Sequence, residues 1–229
     1  MNLEGDRRQI LSSIHKKSLI LYVLGQCNNF FPDGKSVNYN DLESPVSTTI
    51  DRLQYCFSKI ITPYYKRDGL PYFNHLHGDH YSMFLYLLSN TCYKQSGNED
   101  IAAKLFLLNK TLFGIDAYYK IELPEIFMFI HPVGTILGNA TYKNNFVVYQ
   151  GVTIGATTDW VYASFSESTI LYSNCSIIGN CKLGSNFVLA ANASLVNCVI
   201  PANKIVVGNY PDHRILENKN NLISKYFSI

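Results

Sequence analysis

Histidine gives this sequence its best candidates for acid–base or metal chemistry, and three of the six histidines lie close together. Residues 75–80 read HLHGDH, which places His75, His77 and His80 beside the carboxylate of Asp79. These residue types can bind a metal ion, but zinc ligands on a helix need a spacing that brings them to one face, and neither a cysteine partner nor an HExxH motif is present. Helix capping by Asp79 is the favoured alternative, and contact with a bound substrate is a third.

A fourth histidine, His131, stands alone in the string HPVGTILG at residues 131–138. A lone histidine in a strand is more often structural than catalytic. An imidazole nevertheless titrates close to neutral pH and can take a proton from a hydroxyl group, so this residue is the second candidate for acid–base chemistry.

A strict six-residue repeat over residues 171–207 predicts the element that positions His131. Neither an amphipathic helix nor an antiparallel strand has this period. A parallel β-helix does, because each repeat is a short strand with a turn and three repeats close one coil. The large aliphatic residues of the repeat are Leu171, Ile177, Leu183, Leu189 and Leu195, the small or apolar residues four positions later are Cys175, Cys181, Phe187, Ala193 and Val199, and the asparagines are Asn174, Asn180, Asn186 and Asn192.

The three sets of positions predict separate places in the coil. The aliphatic residues are expected to point inward and stack in a column. Asparagine tolerates a positive φ better than most residues, which suits it to the corners. A β-sandwich with chance spacing is the alternative, and the agreement of two apolar registers argues against it.

The same repeat occurs upstream, and its interruption predicts one extended loop. Ile154 and Leu171 are seventeen positions apart rather than eighteen, so the frame slips by one. Residues 156–169 lack the pattern and contain the single tryptophan, Trp160. Long loops in compact folds are usually functional. The upstream inward residues are Ile136, Tyr142, Val148 and Ile154, the second set is Ala140, Phe146 and Val152, and the corner residues are Asn139, Asn145 and Gly151.

Helical patterns fill the first half of the chain. They predict helices over residues 1–30, 47–61, 81–93 and 101–113, with a loop at 32–45 and irregular structure at 64–74. The helix at 81–93 would have Asp79 as its N-cap, and the last helix would end at Gly114. The sequence therefore predicts an α+β protein with a helical domain (1–115), a β-helix domain (116–211) and a polar C-terminal tail (212–229).

Composition excludes several classes of function. The net charge of +2 with 16% charged residues gives no basic field for nucleic acid. The longest apolar run, residues 19–24, is too short to insert in a membrane, and the N-terminus lacks a signal-peptide core. The six cysteines have no metal-binding spacing, and two of them occupy inward repeat positions as apolar fillers. This cysteine usage favours a reducing, cytoplasmic location.

The string HPVGTILG, followed by VYQGVTIGA at residues 148–156, resembles the serine acetyltransferases of the left-handed β-helix acyltransferase superfamily. In that family an HxxGxxxG segment carries the general base, a QxVTLGG-like segment follows at about this distance, and a helical N-terminal domain precedes the coil. The resemblance covers about residues 75–211. It implies a left-handed parallel β-helix with one extended loop.

The resemblance also implies an acetyl-CoA-dependent transferase in which His131 is the base. Asp116, fifteen residues earlier, matches the family's partner carboxylate. Transfer to an alcohol needs a base that removes the hydroxyl proton, and positioned bases contribute ~10²–10⁴-fold. A carboxylate at the other ring nitrogen fixes the tautomer. Because coenzyme A brings an activated acyl group as co-substrate, no reactive cysteine is needed.

The resemblance places acetyl-CoA in a groove along the coil, between neighbouring subunits of a homotrimer. Small side chains at its coenzyme positions leave backbone N–H groups accessible. Apolar residues of the coil that cannot all point inward would also favour a trimer. The coenzyme positions are Gly155, Ala156, Ser173 and Ala191, and the apolar residues are Phe146, Val147, Tyr149 and Val188.

Two departures from the family concern the acceptor. An aspartate that precedes the base and holds the substrate amino group is replaced by Ile130. An arginine–histidine pair that holds the substrate carboxylate is replaced in the loop, where residues 157–162 read TTDWVY. Both charged groups for a free amino acid are therefore missing from these positions.

We therefore expect a sugar hydroxyl as acceptor, in a surface polysaccharide or its precursor. Trp160 and Tyr162 would stack on the sugar, and His77 and Asp79 would contribute polar contacts. Free serine is the alternative if residues 75–80 supply the missing charges. The amino group of a nucleotide-linked amino sugar is a further acceptor. A β-helix scaffold without activity is the non-enzymatic alternative.

Overall fold

The computed structural model describes residues 10–228 and shows a helical region followed by a parallel β-helix, as predicted. Residues 1–9 of the first predicted helix (1–30) lie outside the described residues. None of the described helices combines the length and the hydropathy needed to cross a bilayer. The helices, numbered along the chain, are Lys16–Phe30 (α1), Tyr39–Lys59 (α2), Gly78–Ser96 (α3) and Glu99–Phe113 (α4).

The helical region differs from the prediction at several places: α1 begins only at Lys16, strands occupy part of residues 64–74, and the three later helices begin earlier than predicted. Leu11–Ser12 is a short strand (β1) parallel to Leu70–Phe73 (β3), and β3 also pairs with Lys66–Arg67 (β2). Helix α2 begins at Tyr39, before the predicted start, because a reciprocal capping box at Asn38 supplies hydrogen bonds that the first turn lacks. Pro45 is accommodated within this helix.

The β-helix consists of three parallel sheets that share one core. Each turn of the chain over residues 146–200 adds one strand to each sheet, so in-register strands come from successive coils. The first sheet contains Phe127–Ile130 (β5), Phe146–Tyr149 (β7), Thr169–Leu171 (β10), Phe187–Leu189 (β13), Lys204–Val207 (β16) and the antiparallel Arg214–Glu217 (β17); the second contains Asp116–Ala117 (β4), Ile136–Leu137 (β6), Thr153–Gly155 (β8), Ser176–Ile178 (β11) and Ser194–Val196 (β14); the third contains Ser164–Phe165 (β9), Lys182–Leu183 (β12) and Val199–Ile200 (β15).

The predicted aliphatic column fills the core, with two local shifts. All five aliphatic residues between Leu171 and Leu195 are buried, and each contributes about 1.5–3 kcal/mol of hydrophobic stabilisation. The prediction is wrong at Ile136, which is 46% exposed, because Leu137 points inward instead. It is also wrong at Val199, which is 70% exposed, because Ile200 occupies the core.

The corners of the coil use the predicted residues in most places. Asn174, Asn186 and Asn192 all have a positive φ. Asn180 does not, because the preceding Gly179 takes this conformation. At Gly151, φ is +67° and an added Cβ would lie 2.2 Å from the Asn174 side-chain oxygen, so this corner needs glycine.

The C-terminal residues fold back instead of forming a free tail. Strand β17 pairs with β16, and Tyr226 bonds Tyr149 through the two hydroxyl groups at 2.8 Å. Ser228 N–H donates to the Lys59 carbonyl, which ties this segment to the helical region. Val147 and Val188, in the sheet that this segment meets, are buried within one chain, so they do not need a neighbouring subunit to cover them.

Candidate active site

His131 stands at the first corner of the coil, directly after β5. Its backbone φ is +49°, which is costly for a residue with a Cβ, by about 1–3 kcal/mol. Its side chain is 77% exposed. The imidazole is therefore open to a bound molecule, while neighbouring groups must hold its backbone in place.

Asp79 is the carboxylate that holds His131. Its Oδ1 atom accepts a hydrogen bond from His131 N–H at 2.9 Å and lies 3.9 Å from the imidazole Nδ1. The Asp79 side chain is only 11% exposed and belongs to the first turn of α3. The prediction that it caps this helix is wrong, because His77 is the N-cap and the helix begins at Gly78.

The carboxylate of Asp79 is largely shielded from solvent. Burial raises the pKa of Asp79, and the hydrogen bond from His131 N–H and the charges of His131 and His77 oppose that rise. The N-terminal end of α3 also favours a negative charge at this position.

Asp116 lies elsewhere. Its carboxylate is paired with Lys110 at 2.7 Å, and it makes no hydrogen bond or ion pair with His131 among the contacts of residues 10–228. Asp116 starts β4, which pairs with β6. The role of Asp116 in orienting the imidazole stays a prediction, because its side-chain contact in the structure is with Lys110.

The other histidines of the cluster serve different purposes. His80 is fully buried against the rings of Tyr65 and His77, its Nδ1 accepts a hydrogen bond from Asn74 N–H, and burial lowers its pKa to about 3. His75 pairs with the Ser13 hydroxyl at 2.8 Å. The described part of the chain contains no group of three side chains arranged to bind a metal. His80 is thus a neutral packing residue.

The predicted coenzyme residues divide between two corners. Ser173 and Ala191 follow first-sheet strands and share the corner that carries His131. Gly155 ends a second-sheet strand and Ala156 follows it, so both lie at the next corner. A groove with all four residues therefore cannot run along a single edge of one chain.

The extended loop also leaves from this second corner. It comprises residues 156–163, shorter than predicted, because Ser164–Phe165 already pairs with the third sheet. Trp160 is 79% exposed, and the Tyr162 ring packs on Gly138. The structure thus brings Asp79 to His131, with His77 close to Asp79, and leaves the two predicted loop aromatics at another corner of the same chain.

A cleft between the helices was not predicted from the sequence. Its aromatic residues Tyr22, Tyr81 and Phe113 come from three different helices, so no local pattern could group them. The cleft also includes His77 and Gly78, the two residues before Asp79.

Comparison with known proteins agrees with this architecture. No family model matches the chain. It is 26% identical over 152 residues to a serine acetyltransferase of Staphylococcus epidermidis, covering 64% of this chain and 69% of the relative. The crystal structure of a serine acetyltransferase from Brucella abortus superposes with a TM-score of 0.66 and 20% identity, covering 90% of this chain and 84% of that one.

Two further solved structures show the same fold. A serine acetyltransferase from Vibrio cholerae has a TM-score of 0.69 with 15% identity, covering 90% and 81% of the two chains. The Brucella abortus protein in complex with coenzyme A has a TM-score of 0.67 with 19% identity, covering 91% and 84%. The chain therefore resembles serine acetyltransferases in sequence and shares the β-helix fold of their solved structures, which supports an acetyl-CoA-dependent acyltransferase.

Proposed function

We propose that this chain is an acetyl-CoA-dependent O-acetyltransferase in which His131 is the general base and L-serine is the first acceptor. The contact between Asp79 and His131 is the observation that carries the proposal, because it places an acid–base group and a carboxylate at one exposed corner. The serine acetyltransferase relatives support both the donor and the acceptor.

The role of His131 follows from its exposure and its restrained backbone. The hydrogen bond from its N–H to Asp79 fixes the residue in a conformation that few residues adopt, while the imidazole remains free. A neutral imidazole in this position can take the hydroxyl proton of an acceptor. Acetyl-CoA, when bound, supplies the activated acetyl group.

Asp79 supports the base electrostatically. An imidazole that gains a proton becomes a cation, and the carboxylate 3.9 Å away stabilises it. The largely buried position of Asp79 strengthens this interaction relative to one in water. Asp116, whose charge is already paired with Lys110, contributes less.

Serine also needs a partner for its ammonium group. Asp79 supplies a negative charge close to His131 although position 130 is an isoleucine. It therefore provides the charge that the motif itself lacks. A sugar hydroxyl is the second candidate acceptor, and the absence of an arginine or histidine from loop residues 157–162 favours it.

Coenzyme binding would be shared between chains. A Cβ added to Gly155 would meet only the end of the Ile178 side chain, at 3.1 Å, so the coil surface there is open to a ligand backbone. Because Gly155 and Ala156 lie at one corner while Ser173 and Ala191 lie at another, two adjacent chains are needed to line one groove. This arrangement supports a homotrimer, which would be located in the cytoplasm.

The test is an assay of CoA thiol release with L-serine, with the product located by NMR. His131→Ala should lower turnover by about 10²–10⁴-fold without loss of folding. Lack of CoA release with L-serine and with a panel of other alcohols and amines would favour a scaffold protein. Sedimentation should give three chains of 25.9 kDa, and a monomer at micromolar concentration would contradict the shared groove.

A further inference from the structure

The aromatic cleft is larger than free serine requires. It has a volume of about 210 Å³, which exceeds the roughly 150 Å³ of an apolar cavity known to hold a benzene ring. Serine has only one carbon between its backbone and its hydroxyl. A serine bound at Asp79 with its hydroxyl at His131 would therefore leave most of this space unused.

The cleft shares two chain segments with the corner that carries His131. Gly78 lies on the wall of the cleft and directly precedes Asp79. A Cβ added to Gly78 would lie 3.5 Å from the Phe113 ring. Gly114, next to Phe113, accepts a hydrogen bond from Gly134 N–H in the turn that follows His131. The wall of the cleft and the support of His131 are thus built from the same segments.

The rings of Tyr22 and Phe113 are partly exposed in the cleft, and the buried ring of Tyr81 packs behind them. The rings of Tyr22 and Tyr81 are 5.6 Å apart, and those of Tyr81 and Phe113 are 6.0 Å apart. Tyr22 also meets the His75 ring edge-on at 5.3 Å. Such ring faces contact the C–H face of a saturated ring as readily as an aromatic one.

The polar groups of the cleft are uncharged hydrogen-bonding groups. The Gln26 amide accepts from the Tyr81 hydroxyl and retains its N–H₂ donors, and burial lowers the pKa of His75, which keeps that imidazole neutral. Among the described residues that line the cleft there is no Asp, Glu, Lys or Arg. This composition disfavours phosphorylated, nucleotide-linked or zwitterionic ligands in the cleft itself.

We propose that this cleft binds the ring of a neutral pyranoside and presents one of its hydroxyls to His131, which gives the enzyme a second acceptor class besides serine. Apolar ring faces with a few convergent amide and imidazole groups match a molecule that has a C–H face and hydroxyl edges. The inference rests on the proposed acetyl transfer by His131.

The experiment compares L-serine, methyl β-D-glucopyranoside and benzyl alcohol as acceptors in the CoA-release assay. The pyranoside should be turned over, and Tyr22→Leu should lower its kcat/KM about fivefold more than it lowers that of serine, since one aromatic contact is lost. Tyr55→Leu, on the exposed face of α2 outside the cleft, is the matched control and should change neither value.

The outcomes separate the two proposals. Serine turnover without pyranoside turnover, or preference for benzyl alcohol over the pyranoside, overturns the cleft assignment and leaves the transferase intact. If no acceptor is acetylated, the proposed function fails, and saturation-transfer NMR with the same glucoside decides the cleft separately. Binding that is lost in Tyr22→Leu and kept in Tyr55→Leu supports the cleft, and absence of binding overturns it.

Discussion

Replacing Asp79 by asparagine tests which carboxylate supports the base. The substitution removes one negative charge and keeps the shape of the side chain. The amide oxygen can still accept the hydrogen bond from His131 N–H, so the corner should keep its fold. The change therefore isolates the electrostatic role of Asp79.

The expected size follows from the 3.9 Å separation between Asp79 Oδ1 and His131 Nδ1. Opposite unit charges at this distance attract by about 4 kcal/mol at an effective dielectric constant near 20, and by about 1 kcal/mol in water. Asp79 is largely buried but the imidazole is mostly exposed, so an intermediate value applies. We expect kcat/KM for L-serine to fall by about 10- to 100-fold.

Asp116→Asn is the matched control, because it makes the same chemical change at the carboxylate that pairs with Lys110. It should lower kcat/KM by less than about threefold, since a partly exposed ion pair contributes little. Steady-state kinetics of CoA release, with circular dichroism as the check on folding, would measure both variants. A loss confined to Asp116→Asn, with Asp79→Asn near wild type, would refute this assignment.

Three further predictions concern stability. Burial raises the folded-state pKa of Asp79 above its unfolded value, so the ionised carboxylate lowers the stability of the fold at pH values above that folded pKa. Asp79→Asn should therefore raise the urea midpoint at pH 7. The gain should vanish near pH 3, where the carboxyl group is protonated in both states. The pKa of His80 is lowered to about 3, so protonation of His80 in the unfolded chain should destabilise the fold as pH falls below about 6.5. His80→Gln should reduce this dependence of the unfolding free energy on pH. His15→Gln, at an exposed position, is the control and should leave the dependence unchanged. A Cβ on Gly184 would lie 2.4 Å from a backbone nitrogen, so Gly184→Ala should lower the free energy of unfolding in denaturant by about 1–3 kcal/mol. Gly155→Ala is the control and should lower it less, because the added Cβ meets only a side-chain methyl. Equal losses would contradict the packing argument.

The interior of the coil could be predicted from the sequence because it is encoded locally. A residue six positions further on occupies the equivalent position on the next face, so Leu171, Ile177 and Leu183 identify the core without knowledge of any distant contact. The asparagine corners follow from a backbone preference of single residues.

The residue that points inward could not be predicted from the repeat where a turn has an unusual length. At Ile136 and Val199 the strict period points to residues that lie outside, because the corner that precedes each strand shifts the inward position by one. A period-two strand reverses its faces with a single-residue shift. Only the pairing of Leu137 and Ile200 with neighbouring coils reveals the shift.

The candidate base could be identified from its motif, but its partner could not. The sequence determined the helical region and the β-helix and identified His131 as the candidate base, since these depend on short motifs and a regular period. The tertiary structure decided that Asp79, 52 positions away, holds His131, while Asp116 is paired with Lys110. Contacts between separate elements depend on how α3 packs against the coil, and no local preference of the chain encodes that packing.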